Sequence, residues 1–335
     1  MTSPVRIGIL GAGRIGQVHA ANVATGPGTR LVAIADPILD GARATAERHR
    51  ARWATEAHEV ITADDVDAVI IATPTPTHID LIAAALEARV PVLCEKPIDL
   101  DIRRVDELAP AVASSAVPVA LGFNRRFDPD FSAARERMLG GEIGSLEQAV
   151  ITSRDPAPPP TGYIAASGGI FRDMTIHDLD MARHLIGRIA AVSATGSHSF
   201  SDEIRQAGDF DAAVVTLRGE SGRSATIINS RHSAFGYDQR LELFGSAGML
   251  QVANAGTSLV SFSGADRVEA RPPYQDFFLE RYASAYRAEL AEFVRLVRGE
   301  PSNSPRFEDG RAALLLADAA QLSAETGRVV DVDVP

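Results

Sequence analysis

Gly11-Ala12-Gly13-Arg14-Ile15-Gly16 joins a β-branched apolar run, Val5–Leu10, to a stretch with helical periodicity, Arg14–Thr25. A strand that turns into a helix over three glycines leaves few folds open. Glycine permits the tight turn, and bare backbone at the positive helix end lets N–H groups approach a pyrophosphate. The glycine pattern is weak in isolation, but here a second apolar run, Leu31–Ala35, follows the helix, and Asp36 closes it 20 residues after Gly16. A carboxylate there accepts bonds from the adenine ribose hydroxyls and repels a 2′-phosphate, and neither Pro37 nor Ile38 supplies an adjacent arginine. The expected cofactor is NAD rather than NADP, held by Gly11, Gly13, Arg14, Ile15, Gly16 and Asp36.

The alternation continues along the chain. Asp67–Ala72 reads as a buried strand, Thr77–Arg89 as a helix opened by a threonine cap, Pro91–Cys94 as a strand, Ile102–Ser115 as a helix and Val117–Leu121 as a strand. This order predicts a parallel doubly wound sheet, an α/β Rossmann dinucleotide-binding domain over residues 1–122. Beyond Gly122 the rhythm changes. A helix is expected near Pro129–Leu139, a strand near Leu146–Ser153 and a proline-rich surface loop from Asp155 to Pro160. Short alternating segments between Ile189 and Phe262, among them Ala212–Leu217, Ser224–Ile228, Arg240–Phe244 and Met249–Val252, predict a large, mainly antiparallel open sheet with one covered face. Helices near Phe278–Arg298 and Glu308–Thr326 and a strand over Val329–Val334 complete an α+β C-terminal domain, residues 123–335.

Composition removes several classes of function. A formal net charge of −11 argues against nucleic acid or an anionic membrane as partner. No stretch reaches the roughly 18 uninterrupted apolar residues of a membrane helix. The start, MTSPVRIGIL, has no basic segment followed by a long apolar one, and Cys94 is the only cysteine, which excludes an intrachain disulfide or a cysteine-cluster metal site. The expectation is a soluble, cytoplasmic protein.

Of 33 basic residues, 32 are arginine and only Lys96 is lysine. A chain so biased keeps a lysine where a compact ammonium with a tunable charge matters, since guanidinium is planar, wider and always protonated. Lys96 follows the strand Pro91–Cys94, at the carboxyl edge of the sheet where ligands of open α/β folds bind.

Gly11–Gly16, Thr73-Pro74-Thr75-Pro76-Thr77-His78, Glu95-Lys96-Pro97 and Gly168-Gly169-Ile170-Phe171-Arg172-Asp173-Met174-Thr175-Ile176-His177-Asp178 together resemble the glucose–fructose oxidoreductase/inositol dehydrogenase family. Within it, Gly122–Asp128, Ser153-Arg154-Asp155-Pro156 and Gly236-Tyr237-Asp238-Gln239-Arg240 are most similar to the members acting at C2 of inositol. The resemblance implies NAD-dependent oxidation of a secondary hydroxyl of a cyclic polyol, myo-inositol to 2-keto-myo-inositol. It implies His177 as general base, Asp173 holding its ring and stabilising its protonated form, and Lys96 donating to the reacting oxygen and the nicotinamide ribose across a cis Lys96–Pro97 peptide. The i, i+4 spacing of Asp173 and His177 places both on one face of an expected helix. Thr73, Pro74, His78 and Glu95 are expected beside the dinucleotide, and Arg126, Asp155, Asp173, His177 and Tyr237 around the polyol.

Asp180 and His184 continue the helix face and could suggest a metal, but the family's mechanism is metal-free and a structural role is expected for them. The family is commonly tetrameric, so a homotetramer is expected. Two rivals stay open: a dehydrogenase for scyllo-inositol, a sugar or an anhydrosugar, and a nucleotide-binding regulator that keeps the fold without turnover. A regulator has no physical need for Lys96, Asp173 and His177 together, and their joint presence weighs toward catalysis.

Overall fold

A computed structural model describes residues 3–334. The chain forms two compact units, one of residues up to Phe127 together with Ala285–Leu314, the other of Asp128–Ser284 with the residues from Leu315 onward.

The first unit runs β1 (Val5–Leu10), α1 (Arg14–Thr25), β2 (Thr29–Ala35), α2 (Leu39–His49), β3 (Arg52–Ala54), α3 (Ala57–Ile61), β4 (Ala68–Ile71), α4 (His78–Glu87), β5 (Val92–Cys94), α5 (Ile102–Ser114) and β6 (Val119–Leu121). Among the described residues these strands pair in the order β3-β2-β1-β4-β5-β6, all parallel. Strand order reverses between β1 and β4, which opens a crevice at the carboxyl ends of the strands. β4 is apolar along its whole length, and β1 is apolar apart from Arg6, because both faces are covered: Ile7, Ile9, Val69, Ile70 and Ile71 are fully buried.

The reading of the sequence passes over α2, β3 and α3. Their signals are faint, since α2 buries only Ala42, Thr45 and Ala46, and β3 has three residues with Trp53 half exposed. Thr77 stands at the start of α4, but its hydroxyl donates to Pro74 O at 2.8 Å inside a 3-10 turn and so does not cap the helix as expected.

The second unit contains α6 (Pro129–Leu139), β7 (Leu146–Arg154), α7 (Thr161–Ser167), a π-helical turn (Phe171–Thr175), α8 (Ile176–Ile186), β8 (Ile189–Ser197), α9 (Asp202–Gln206), β9 (Ala212–Gly219), β10 (Ser224–Ser230), β11 (Asp238–Gly245), β12 (Gly248–Val252) and α10 (Phe278–Arg281). Three further elements follow in the chain: α11 (Ala283–Val297), α12 (Phe307–Thr326) and β13 (Val330–Asp331). The helix expected over Phe278–Arg298 is broken at Tyr282, whose buried hydroxyl donates to Gln239 Oε1 at 3.0 Å.

The second sheet, among the described residues, runs β12-β11-β7-β10-β9-β8-β13. Its pairs are antiparallel except β7 with β10, which is parallel in the register Arg154↔Ser230. Burial alternates along β9 and β10, and α8 packs on β7 and β10. This is the mainly antiparallel sheet that the alternating segments predict.

Candidate active site

In the first unit the three glycines play different parts. Gly11 has φ +98°, and a Cβ there would lie 2.4 Å from Ala72 O; a Cβ on Gly16 would lie 1.9 Å from Gly11 O. Both positions therefore require glycine. A Cβ on Gly13 would meet no atom within 4 Å. That open space stands over the first turn of α1, which has no side-chain cap and no acidic residue, so its leading N–H groups are available to an anion. Asp36 accepts Ala12 N–H at 2.7 Å on Oδ2 and Ile38 N–H at 2.8 Å on Oδ1, so it also braces the loop. Each carboxylate oxygen keeps acceptor capacity for a ribose hydroxyl. This cradle fits a dinucleotide.

At the carboxyl end of β5, Lys96 is partly buried and its peptide to Pro97 is cis, as the resemblance implied. Glu95 Oε1 lies 2.8 Å from His19 Nε2, with His19 buried on α1, and a Cβ on Gly122 would come within 3.0 Å of Glu95 Oε2. Thr73 and Pro74 occupy the loop after β4, where Thr73 Oγ1 is 2.7 Å from Thr77 Oγ1. His78 is buried, with Nδ1 2.8 Å from Pro97 O and Nε2 2.9 Å from Thr73 O. It ties those two loops together and does not present an open ring. Burial lowers its pKa, against the opposing pull of the Thr73 and Pro97 carbonyls. Arg126 lies in a 3-10 turn after β6 and pairs with Asp309 at 3.0 Å.

One acid of this unit escapes the sequence reading. Glu289, on α11, is 1% exposed, and neither carboxyl oxygen has a hydrogen-bond partner among the described residues. Burial, followed by the charge of Glu95, pushes its pKa well above the usual carboxyl range.

In the second unit Asp173 lies in the π-helical turn and His177 in the first turn of α8. The wider i→i+5 turn means that a four-residue spacing does not stack side chains as on the α-helix expected from the sequence. Such turns recur at functional sites. Asp173 Oδ1 accepts the Tyr163 hydroxyl at 3.0 Å and Oδ2 accepts from Arg231 Nη1 at 3.2 Å. His177 is partly exposed, whereas Asp178, Leu179 and Asp180 beside it are buried.

A buried polar network fixes the start of α8 on the sheet. Thr175 Oγ1 donates to Asn229 Oδ1 at 2.6 Å, Asn229 Nδ2 donates to Asp178 Oδ2 at 2.8 Å, and Ser153 Oγ donates to Asp178 Oδ1 at 2.8 Å. Gln239 Oε1 lies 3.1 Å from Ser153 Oγ on the far side. Ser153, Asn229 and Gln239 are polar residues at buried positions of β7, β10 and β11, the sequence signal by which such a network can be found. Gln239 Nε2 is the one donor of this group with no partner among the described residues.

Asp155 follows β7 directly, and its N–H donates to Ser230 O at 2.9 Å at the end of β10. Tyr237 precedes β11, buried, with its ring 6.0 Å edge-on from Tyr282. Arg154 Nη1 reaches Asp238 Oδ2 at 2.6 Å and clasps the end of β7 to the start of β11. Asp155, Arg231 and Tyr237 thus belong to one end of the sheet. Asp180 is buried on α8, and the backbone carbonyl of His184 accepts from Arg135 Nε at 3.4 Å.

A parallel sheet of this order, an open glycine loop at its switch point and a carboxylate closing the second strand define a dinucleotide-binding protein. Residues 5–123 match the model of the oxidoreductase family with an NAD-binding Rossmann fold, and residues 131–251 match the GFO/IDH/MocA C-terminal domain. The chain belongs to the GFO/IDH/MocA oxidoreductase family, as the motifs suggested, and is an NAD-dependent enzyme acting on CH–OH groups. It is similar to a crystal structure of a myo-inositol dehydrogenase from Corynebacterium glutamicum ATCC 13032, with 51% identity, a TM-score of 0.94 and coverage of 98% of this chain and 99% of that one. It is 44% identical over 329 residues to the inositol 2-dehydrogenase of Rhizobium meliloti (strain 1021), covering 98% of this chain and 99% of the relative. A scyllo-inositol dehydrogenase from Lactobacillus casei, solved with NAD(H) and scyllo-inositol, is 30% identical with a TM-score of 0.91, covering 98% and 99% of the two chains.

Proposed function

We propose that this enzyme oxidises the C2 hydroxyl of myo-inositol to 2-keto-myo-inositol. The observation that carries the substrate is the likeness, at 44% to 51% identity over nearly the whole chain, to proteins named inositol 2-dehydrogenase and myo-inositol dehydrogenase. NAD, held by Gly11, Gly13, Arg14, Ile15, Gly16, Asp36, Thr73, Pro74 and the Glu95-Lys96 segment, supplies the hydride acceptor; His78 braces two of those loops. As the C–H bond of the alcohol breaks and its electron pair leaves as hydride, His177 takes the hydroxyl proton and Lys96 donates to the developing alkoxide. Asp173 stabilises the imidazolium so formed. Arg126, Asp155 and Tyr237 bind the other hydroxyls, whose alternating donors and acceptors call for both charged and neutral polar groups.

The unit expected from residues 1–122, which extends to Phe127 and also takes in Ala285–Leu314, serves as the dinucleotide-binding domain, and the unit of Asp128–Ser284 with the residues from Leu315 onward as the substrate-binding and oligomerisation domain of a cytoplasmic homotetramer. Half-exposed Val214, Phe244 and Met249 on the second sheet support association of copies. Among the described residues no helix is long and apolar enough to cross a membrane. A second reading, scyllo-inositol as substrate, is favoured by the Lactobacillus casei relative solved with that isomer. A panel of inositol isomers and sugars with NAD, scored by kcat/KM, decides: myo-inositol ranks first if the proposal is right, and a sugar ranking above every inositol rejects it.

A further inference from the structure

Arg231 follows β10 directly and is completely buried, the largest side chain so enclosed among the described residues. Enclosing a guanidinium costs several kcal/mol unless its charge and donors are met. Two carboxylates from separate segments answer the charge and engage two of the donors: Nη2 lies 3.0 Å from Asp209 Oδ2, and Nη1 lies 3.2 Å from Asp173 Oδ2, while Nε has no partner among the described residues. Asp209 stands in the loop between α9 and β9. Its other oxygen accepts Ile170 N–H at 2.8 Å, and a Cβ on Gly169 would come within 2.9 Å of that oxygen. The same carboxylate thus fixes both Arg231 and the backbone leading into the π-helical turn that carries Asp173.

We infer that Arg231 is a positioning residue for the proton-transfer pair, holding the Asp173 carboxylate through an Asp209–Arg231–Asp173 bridge. The inference rests on the reading of Asp173 and His177 given above. Arginine suits the task because its planar fork engages two carboxylates at once from one rigid frame, which a lysine ammonium on a flexible stem cannot reproduce. The formal charges leave one net negative charge on the bridge. That remaining negative charge is available to balance the imidazolium that forms on His177. The Tyr163 hydroxyl on the other Asp173 oxygen completes the clamp. Arg231 itself donates to the carboxylate and acts through it.

The test compares Arg231→Lys, Arg231→Met and Asp209→Asn with wild type, alone and combined with Asp173→Asn. The readouts are kcat and KM for myo-inositol, NAD affinity by titration and thermal unfolding. Misplacement of a reacting group by about 1 Å can cost roughly 10²-fold in rate, so Arg231→Lys is expected to lose about ten- to a hundredfold in kcat. Its NAD affinity and its KM for myo-inositol should stay within about twofold, since the loss falls on the proton-transfer pair. In the Asp173→Asn background the Lys substitution should cost less than about twofold more, because the group through which Arg231 acts is already disabled. Full additivity of the two losses, a loss confined to KM, or unchanged kcat in Arg231→Lys would overturn the inference. If Arg231→Met does not fold, the Lys and Asp209→Asn variants, which keep the bridge's volume, carry the test. Wild-type turnover in Asp173→Asn would reject the assignment of the pair; an impaired Asp173→Asn beside an intact Arg231→Lys rejects the role of Arg231 alone.

Discussion

Asp36 Oδ2 accepts the backbone N–H of Ala12 at 2.7 Å, tying the end of β2 to the glycine loop at the end of β1. One carboxylate thereby orders the loop and keeps acceptor capacity for a ribose hydroxyl. Asp36→Ala is predicted to lower kcat/KM for NAD by about tenfold or more, the usual worth of a hydrogen bond to a charged group. The penalty with NADP should be smaller, since a repulsion disappears along with the acceptor. Steady-state kinetics with both cofactors check this, and an unchanged NAD:NADP ratio contradicts it.

His177→Ala should lower kcat by about 10²–10⁴, the range for a lost general base, while NAD titration stays near wild type. Asp173→Asn should be impaired as well, because an amide keeps the shape but not the charge that stabilises imidazolium. Wild-type kcat in His177→Ala would remove it from the mechanism.

Lys96→Arg is a change toward the basic residue that the chain carries at its 32 other basic positions. Guanidinium keeps the charge but is wider and planar, so the alkoxide donor is misplaced. Turnover should fall by about 10²–10³, the cost of losing one oxyanion donor. Thermal unfolding and NAD binding serve as controls for the fold. Turnover within about threefold of wild type would make the lone lysine incidental.

Glu289 governs a pH dependence of stability. Its folded-state pKa is raised above the ordinary value of 4.5 by burial and by Glu95. The stability it contributes when protonated is therefore fully present below that ordinary value and is lost as pH rises through the folded pKa. Glu289→Gln, neutral at every pH, should flatten the fall of Tm as pH rises above the ordinary carboxyl range. At the upper end it should raise Tm by about 2–4 °C for each kcal/mol recovered. Identical Tm–pH slopes in the two proteins would contradict the assignment.

The legible parts of this fold are those where one physical requirement acts on adjacent residues. β4, β5 and, past Arg6, β1 are apolar runs because both faces are covered, and the Gly11 and Gly16 positions exclude a Cβ for reasons local to the turn. Elements stabilised from afar left little trace. α2 buries a face of small residues, and no periodicity betrays that Phe171–Thr175 winds as a π-turn. The site divides the same way. Asp36 and Lys96 stand at strand ends that the alternation marks, whereas Arg231 is one arginine among 32 and meets Asp173 from 58 residues away. Asp178, Asn229 and Gln239 join only when β7, β10 and β11 are paired.

Direct transfer of a polyol hydrogen to the cofactor is the core of this account, and an isotope experiment reads it without any variant. The purified enzyme is given myo-inositol deuterated at C2 together with NAD, and the reduced cofactor is weighed by mass spectrometry. The account predicts that the NADH formed carries the deuterium and that the ketone lies at C2; unlabelled NADH, or no NADH from this polyol, would contradict it.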